Sequence, residues 1–343
     1  MIEAAIVGLG WWGSVLVESA QGSDAIRFVA AYTRSRSERD RMQAKRLGLT
    51  LVESLQVLLD DPTIDALVLA TPPLEHPQQI QAAAAAHKHI FCEKPLALDA
   101  TAARAALLAV QRAGVTIGLG YNRRFHPSWI DLKHRIDNGE LGVILHAECT
   151  MSSPNALSMA HEAWRASRSE APCGGLAPMG VHAIDGLIDL FGDIDRVYCH
   201  SACRAAPSGN DDATSILLRL KAGMSAYVGT LMSSAPEFRF QVFGSKASAM
   251  LGGQVHVAGQ SAQERRSGLF GSYTIRPLTG DPLRLDVPTF DVNRAELEAF
   301  ARAADGFEPY PITPAQMLHG VAVTEAIILS ARAGGVAAVE EHH

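Results

Sequence analysis

Two short stretches of this sequence carry side chains able to move protons. In His89-Ile90-Phe91-Cys92-Glu93-Lys94-Pro95 an apolar run ends in a carboxylate, an ammonium and a proline. Lys94 stands at the carboxyl end of an expected strand, and partial burial there lowers an ammonium's proton affinity toward the range useful for acid–base work. In Val181-His182-Ala183-Ile184-Asp185 the imidazole opens an apolar helical pattern (Ile184, Leu187, Ile188, Phe191) that follows Gly174-Gly175. Histidine, with an ordinary value of about 6.5, is the natural proton acceptor near neutrality. Asp185 lies one helical step on, near enough to orient that ring or to bind substrate. The plainer alternatives are a surface lysine before a turn and a histidine that caps or packs a helix.

What these groups would act on follows from the first turn of the chain, Ala4-Ala5-Ile6-Val7-Gly8-Leu9-Gly10-Trp11-Trp12-Gly13. An apolar strand stops at Gly8 and a helical pattern (Val15, Leu16, Ser19, Ala20) starts at Gly13. In that context Gly8 permits a tight turn, Gly10 lets backbone approach a pyrophosphate, and Gly13 lets helix and strand pack closely. The helix N-terminus offers N–H groups and a positive dipole end to phosphates. Leu9, Trp11 and Trp12 complete the turn, and the alternative is a glycine turn with no ligand or one for another nucleotide. Where the second strand ends, an NAD site usually carries an acidic residue. Here the residues are Thr33, Arg34, Ser35 and Arg36. Arg34 suits a 2′-phosphate, with Thr33 or Ser35 donating to it, so NADP is favoured over NAD. Thr71-Pro72-Pro73, running on to His76, is a stiffened loop at the carboxyl end of another strand, where ligands bind in such sheets. These residues, with Glu93 and Lys94, are counted on the cofactor side, although sequence names no partner for His76.

The elements that must position these groups change texture along the chain. Strands are expected at 2–8, 26–33, 65–70, 89–92 and 115–119, alternating with helices near 12–21, 36–47, 54–60, 75–87 and 99–113. Such alternation means parallel β-α-β units, a doubly wound α/β Rossmann sheet, over residues 1–120. From 121 to 335 strands follow one another (143–150, 196–203, 213–220, 224–231, 238–244), which gives an α+β second domain with a mostly antiparallel open sheet. Helices at 293–306 and 314–332 close the chain, the last able to pack back on the first domain. At 343 residues, 48% hydrophobic and 19% charged, with net charge −6 and both signs interspersed, the chain shows no footprint for nucleic acid or an anionic membrane. No apolar run approaches the ~20 residues of a membrane span, and no signal sequence is visible. Five scattered cysteines (Cys92, Cys149, Cys173, Cys199, Cys203) lack zinc-site spacing and read as buried small hydrophobes, Cys199 and Cys203 facing one side of a strand. No metal and a reduced, cytoplasmic setting are expected. The terminal Glu341-His342-His343 looks like the remnant of a tag.

Taken in order, Gly8–Gly13, Thr71-Pro72-Pro73, Glu93-Lys94-Pro95, Asn122-Arg123-Arg124-Phe125 and Gly174-Gly175…His182-Ala183-Ile184-Asp185 resemble the glucose–fructose oxidoreductase, inositol dehydrogenase and rhizopine-catabolism family (Gfo/Idh/MocA) over essentially the whole chain. The resemblance implies an NAD(P)-dependent oxidoreductase moving hydride to or from a secondary alcohol or ketone of a sugar, polyol or related cyclic compound. It implies that Lys94, after a cis peptide bond to Pro95, orients the reacting oxygen while His182 takes its proton. Trp164, Arg165, Tyr121 and Asn122 become substrate or nicotinamide contacts; Arg124 has an interdomain ion pair as its alternative. Relatives commonly dimerise or tetramerise through the open sheet face, so a homo-oligomer is expected. One departure stands out: many members carry an Asp four residues before the histidine, where this chain has Pro178. The rival reading is a dinucleotide- or sugar-sensing protein without turnover, and a non-sugar substrate such as a dihydrodiol is a second alternative.

Overall fold

The computed structural model describes residues 1–159, 168, 171–255 and 269–340. The chain divides into one unit of Met1–Asn122 with Asp291–Val321 and another of Arg123–Phe290 with Ala322–His343.

The first unit is built on a six-stranded parallel sheet. Its strands are β1 (Ile2–Val7), β2 (Ile26–Tyr32), β3 (Thr50–Leu51), β4 (Ala66–Leu69), β5 (His89–Cys92) and β6 (Ile117–Leu119), in the order β3-β2-β1-β4-β5-β6. The strand order reverses beside β1, so the crevice of a doubly wound sheet opens where β1 and β4 end. Crossovers run through α1 (Trp11–Ser19), α2 (Glu38–Leu47), α3 (Leu55–Asp60), α4 (His76–Ala85) and α5 (Ala100–Ala113). Ala4, Ala5, Ile6 and Val7 and the whole of β4 are buried, as expected of parallel strands covered on both faces. Caps fix the helix ends: Ser37 and Asp40 form a reciprocal box on α2, and Asp99 accepts from the Ala102 N–H on α5. β3 was not among the expected strands; two residues carry no readable alternation.

The second unit carries a nine-stranded sheet. Its strands are β7 (Ile144–Ser152), β8 (Ile194–Ala202), β9 (Ala213–Leu220), β10 (Ser225–Leu231), β11 (Glu237–Gly244), β12 (Ala247–Gly253), β13 (Phe270–Pro277), β14 (Leu283–Leu285) and β15 (Ala337–Ala338). The order is β14-β13-β12-β11-β7-β10-β9-β8-β15, antiparallel except for the β7–β10 pair. Helices α6 (Pro127–Asp137) and α7 (Val181–Phe191) belong to this unit. Strands β9 and β11 alternate buried and more exposed residues, so one face of the sheet is core and the other stands open. α6, β12–β14 and β15 are not among the expected elements. α6 starts on an imidazole cap, His126 accepting from the Ser128 N–H, rather than on a usual cap residue. β12 hides its period in Ser and Gly. Cys199 is buried in β8, whereas Cys203 lies past the strand's end and is half-buried, so the expected same-side pair does not form. The chain closes with α8 (Val292–Ala304), within the first unit, and α9 (Pro314–Ala333). Among the described residues no helix is long and apolar enough to cross a membrane.

Candidate active site

In the first unit the glycine turn leaves β1 with Gly8 at φ +99°, a left-handed value that glycine alone adopts freely. A Cβ on Gly13 would fall 2.0 Å from the Gly8 carbonyl oxygen, so any side chain there would push α1 off the strand. Gly10, by contrast, has no atom within 4 Å of where its Cβ would be. The cap residue of α1, Gly10, has no side chain to satisfy the N–H groups of its first turn. Close-packed glycines below, open space above and an uncapped helix end form a cradle that fits a dinucleotide's pyrophosphate. Trp11 is 53% exposed at this turn, and Leu9 is buried.

Beyond β2, exposed Arg34 reaches the Glu75 carboxylate at 3.4 Å. Glu75 accepts from the Gln79 amide at 3.0 Å, and the Thr71 hydroxyl donates to Gln79 Oε1 at 2.6 Å. A chain of side chains thus joins the Thr71-Pro72-Pro73 loop to the end of β2. Ser35 instead donates to Asp40. Glu75 is a residue the sequence reading did not use: it brings to Arg34 the carboxylate that the second strand itself lacks.

His76 is fully buried, with Nδ1 2.8 Å from the Pro95 carbonyl and Nε2 2.9 Å from the Thr71 carbonyl. Burial holds its proton affinity below the ordinary histidine range. The ring lies between the Thr71 loop and the Lys94–Pro95 turn and fixes one against the other, a positional role that the bare sequence did not reveal. The Lys94–Pro95 bond is cis, as the resemblance implied. Lys94 is half-buried, and Glu93 beside it is buried. Burial pushes the Glu93 carboxyl up, against the opposing pull of the Lys94 charge and of the Trp12 indole N–H, which donates to Oε1 at 2.5 Å. Glycine turn, Thr71 loop and Lys94 all stand at the carboxyl ends of parallel strands, hence on one edge of the sheet. Tyr121 is buried past β6, and the Asn122 amide donates to Asn293 Oδ1 of α8 at 2.8 Å.

In the second unit His182 is the second residue of α7 and half-buried. The approach to it runs through Gly174 (φ +49°), where a Cβ would fall 1.7 Å from the Asp211 carbonyl oxygen, and then a π-helical turn, Leu176–Gly180. Pro178 sits in that turn and lines a small hollow with Ala156, Met159, Met232, Asn210 and Asp211. Asp185 faces a different partner from the one expected. Both its oxygens accept from the Arg124 guanidinium, at 2.5–3.1 Å. Arg124 also reaches Asp189, which accepts from Lys133 and from the Trp129 indole. All five residues lie in one unit, so the ion pair of Arg124 is internal to that unit rather than a link between domains. Burial raises the Asp185 carboxyl to about 6 despite the guanidinium. Trp164 and Arg165 lie outside the described residues, as do Glu341, His342 and His343. Among the described residues no three metal-binding side chains cluster.

Comparison with known proteins bears on both units. Residues 2–121 match the oxidoreductase family with an NAD-binding Rossmann fold, and residues 129–250 match the GFO/IDH/MocA C-terminal domain. An uncharacterised oxidoreductase of Bacillus subtilis is 34% identical over 200 residues, 56% of each chain. A myo-inositol 2-dehydrogenase of Thermotoga maritima is 27% identical over 263 residues, 71% of this chain and 73% of that one. The first of these relatives is therefore matched over little more than half its length. In fold, the crystal structure of an NADPH-dependent oxidoreductase described from Desulfitobacterium hafniense superposes with a TM-score of 0.90, covering 98% of this chain and 97% of the other at 24% identity.

Proposed function

Because this chain belongs to the Gfo/Idh/MocA oxidoreductases, we propose that it is an NAD(P)-dependent dehydrogenase acting on a secondary alcohol, or its ketone, of a sugar, polyol or related cyclic compound. One observation carries this reading: the backbone of the Lys94–Pro95 turn is held, through His76 and Glu93, on the same sheet edge as a glycine cradle that fits a dinucleotide. The bound nicotinamide supplies or takes up the hydride. In the oxidising direction His182 removes the hydroxyl proton while the Lys94 ammonium donates a hydrogen bond to the same oxygen. In the reducing direction His182 returns the proton to the carbonyl oxygen while Lys94 holds that oxygen by the same hydrogen bond. Tyr121, Trp164 and Arg165 contact substrate. Asp185 serves through its pair with Arg124, holding the first turns of the helix that carries His182.

NADP is the favoured cofactor. Among the described residues Arg34 pairs with Glu75, through one long exposed contact. Such surface pairs hold ~0–1 kcal/mol, so a 2′-phosphate displaces the carboxylate readily. Arg34→Ala then lowers kcat/KM for NADP more than for NAD; a wild-type preference for NAD contradicts this assignment. The open sheet face carries Tyr198, Leu217 and Tyr227 in one cross-strand row, with Tyr198 42% and Leu217 51% exposed, which supports a homo-oligomer joined there. Sedimentation as a monomer alone would count against it.

A reading without turnover, as a sugar or dinucleotide sensor, draws on one observation, Pro178 in place of a carboxylate before His182. The discriminating experiment offers myo-inositol, other polyols and aldoses with NAD+ and NADP+ and follows reduced-nicotinamide absorbance. Turnover that Lys94→Ala abolishes while the reduced cofactor still binds supports the dehydrogenase; binding with no turnover in the wild type supports the sensor.

A further inference from the structure

Glu93 is a carboxylate in a costly position. It is 6% exposed and pressed against the backbone past β6, where a Cβ on Gly120 would come 2.9 Å from its Oε1. A buried carboxylate needs strong donors or an opposite charge to offset its lost hydration. The Lys94 backbone N–H reaches Oε2 at 3.2 Å, and the Lys94 ammonium supplies attractive charge. Opposite them the Trp12 indole N–H reaches Oε1 at 2.5 Å across 81 residues of sequence. Among the described residues the titratable groups that act on this carboxylate are Lys94 and Cys92 from its own strand and turn; Trp12 faces it from α1, and Gly120 with backbone alone. Trp12 is the second residue of α1, the helix that opens the glycine cradle. Its neighbour Trp11, 53% exposed, shows that an indole at this turn need not point inward.

We propose that Trp12 is a positioning residue: its indole N–H holds the Glu93 carboxylate in place beside Lys94, so that occupancy of the glycine cradle is felt at the lysine. The proposal rests on the reading of Lys94 as the group that holds the reacting oxygen of the substrate. It links the helix that opens the dinucleotide turn, on which Trp12 stands, to the charge next to the reacting groups. Losing the donor leaves Glu93 more readily protonated, which removes the negative charge beside Lys94.

The test uses the full chain free of cofactor, with 13C-carboxyl-labelled glutamate. The resonance absent from Glu93→Gln identifies Glu93. Its titration midpoint rises by about one to two pH units in Trp12→Phe, the effect of losing one hydrogen bond to a charged group. Trp12→His, which keeps a ring N–H, recovers part of the shift. Saturating NADPH moves the midpoint in the wild type and leaves it in place in Trp12→Phe. An unchanged midpoint in Trp12→Phe, or an equal NADPH-induced movement in both proteins, overturns the proposal. If Trp12→Phe does not fold, the indole 15N–1H resonance of Trp12 in Glu93→Gln decides: an upfield proton shift supports the bond, and an unmoved resonance refutes it. A polyol screen without turnover would instead overturn the dehydrogenase reading and leave these titrations as they stand.

Discussion

Replacing Arg124 with methionine probes the buried charge cluster beneath His182. Arg124, Asp185 and Asp189 have side chains 5%, 5% and 7% exposed. Arg124 and Lys133 pair with the two carboxylates, and buried Arg123 adds further positive charge near Asp185. Arg124→Met leaves Asp185 buried without its hydrogen-bonded ion-pair partner, whereas Asp189 retains Lys133 and Trp129. Removing one member of a buried pair costs about 3–5 kcal/mol, a large part of the 5–15 kcal/mol that holds a typical domain. At roughly 2–4 °C per kcal/mol for a domain of this size, the melting temperature falls by about 6–20 °C. The loss depends on pH in a known direction. Burial already raises Asp185 to about 6, and without Arg124 it rises further. An acid whose folded value is raised is stabilised by protonation, so the variant loses less at pH 5 than at pH 8. Arg124→Met/Asp185→Leu, which removes both charges, recovers most of the stability. Thermal unfolding at the two pH values followed by circular dichroism reads all three effects. A single variant within about 1 kcal/mol of wild type at pH 8, or a double variant no more stable than the single, would refute the reasoning.

Two glycines of the cradle separate packing from binding. Gly13→Ala meets backbone and is destabilised by about 1–3 kcal/mol; Gly10→Ala meets open space, keeps its stability and weakens NADH binding, as calorimetry of each variant will show. His126 accepts the Ser128 N–H as the cap of α6 and, because burial holds it down to about 4, does so as a neutral ring. Its contribution is complete above the unfolded value near 6.5 and is lost as pH falls toward about 4. His126→Asn, a cap that does not titrate, flattens stability across that window; an unchanged slope shows that the acid sensitivity lies elsewhere.

The backbone was more legible than the contacts. Gly8–Gly13 announced its strand, turn and helix because each glycine answers a local steric demand, and the alternation of periods gave the parallel sheet. Short or small-residue strands such as Thr50–Leu51 and Ala247–Gly253 carry too little contrast to show. Side-chain partners far apart in sequence were invisible: Glu75 on Arg34, Trp12 on Glu93, His76 between two carbonyls, Arg124 on Asp185. No local pattern encodes them, because tertiary packing brings them together. The sequence therefore identified the ionisable residues, and the structure supplied the partners that set their charge.

The most direct test is a double-mutant cycle in kcat/KM on Lys94→Ala and His182→Ala, using the polyol and cofactor that turn over. Each single change lowers the rate about 10²–10⁴-fold, and the pair together costs little more than the worse single, as expected of two groups handling one proton. Losses that simply multiply, or a Lys94→Ala enzyme that turns over like the wild type, would contradict the account.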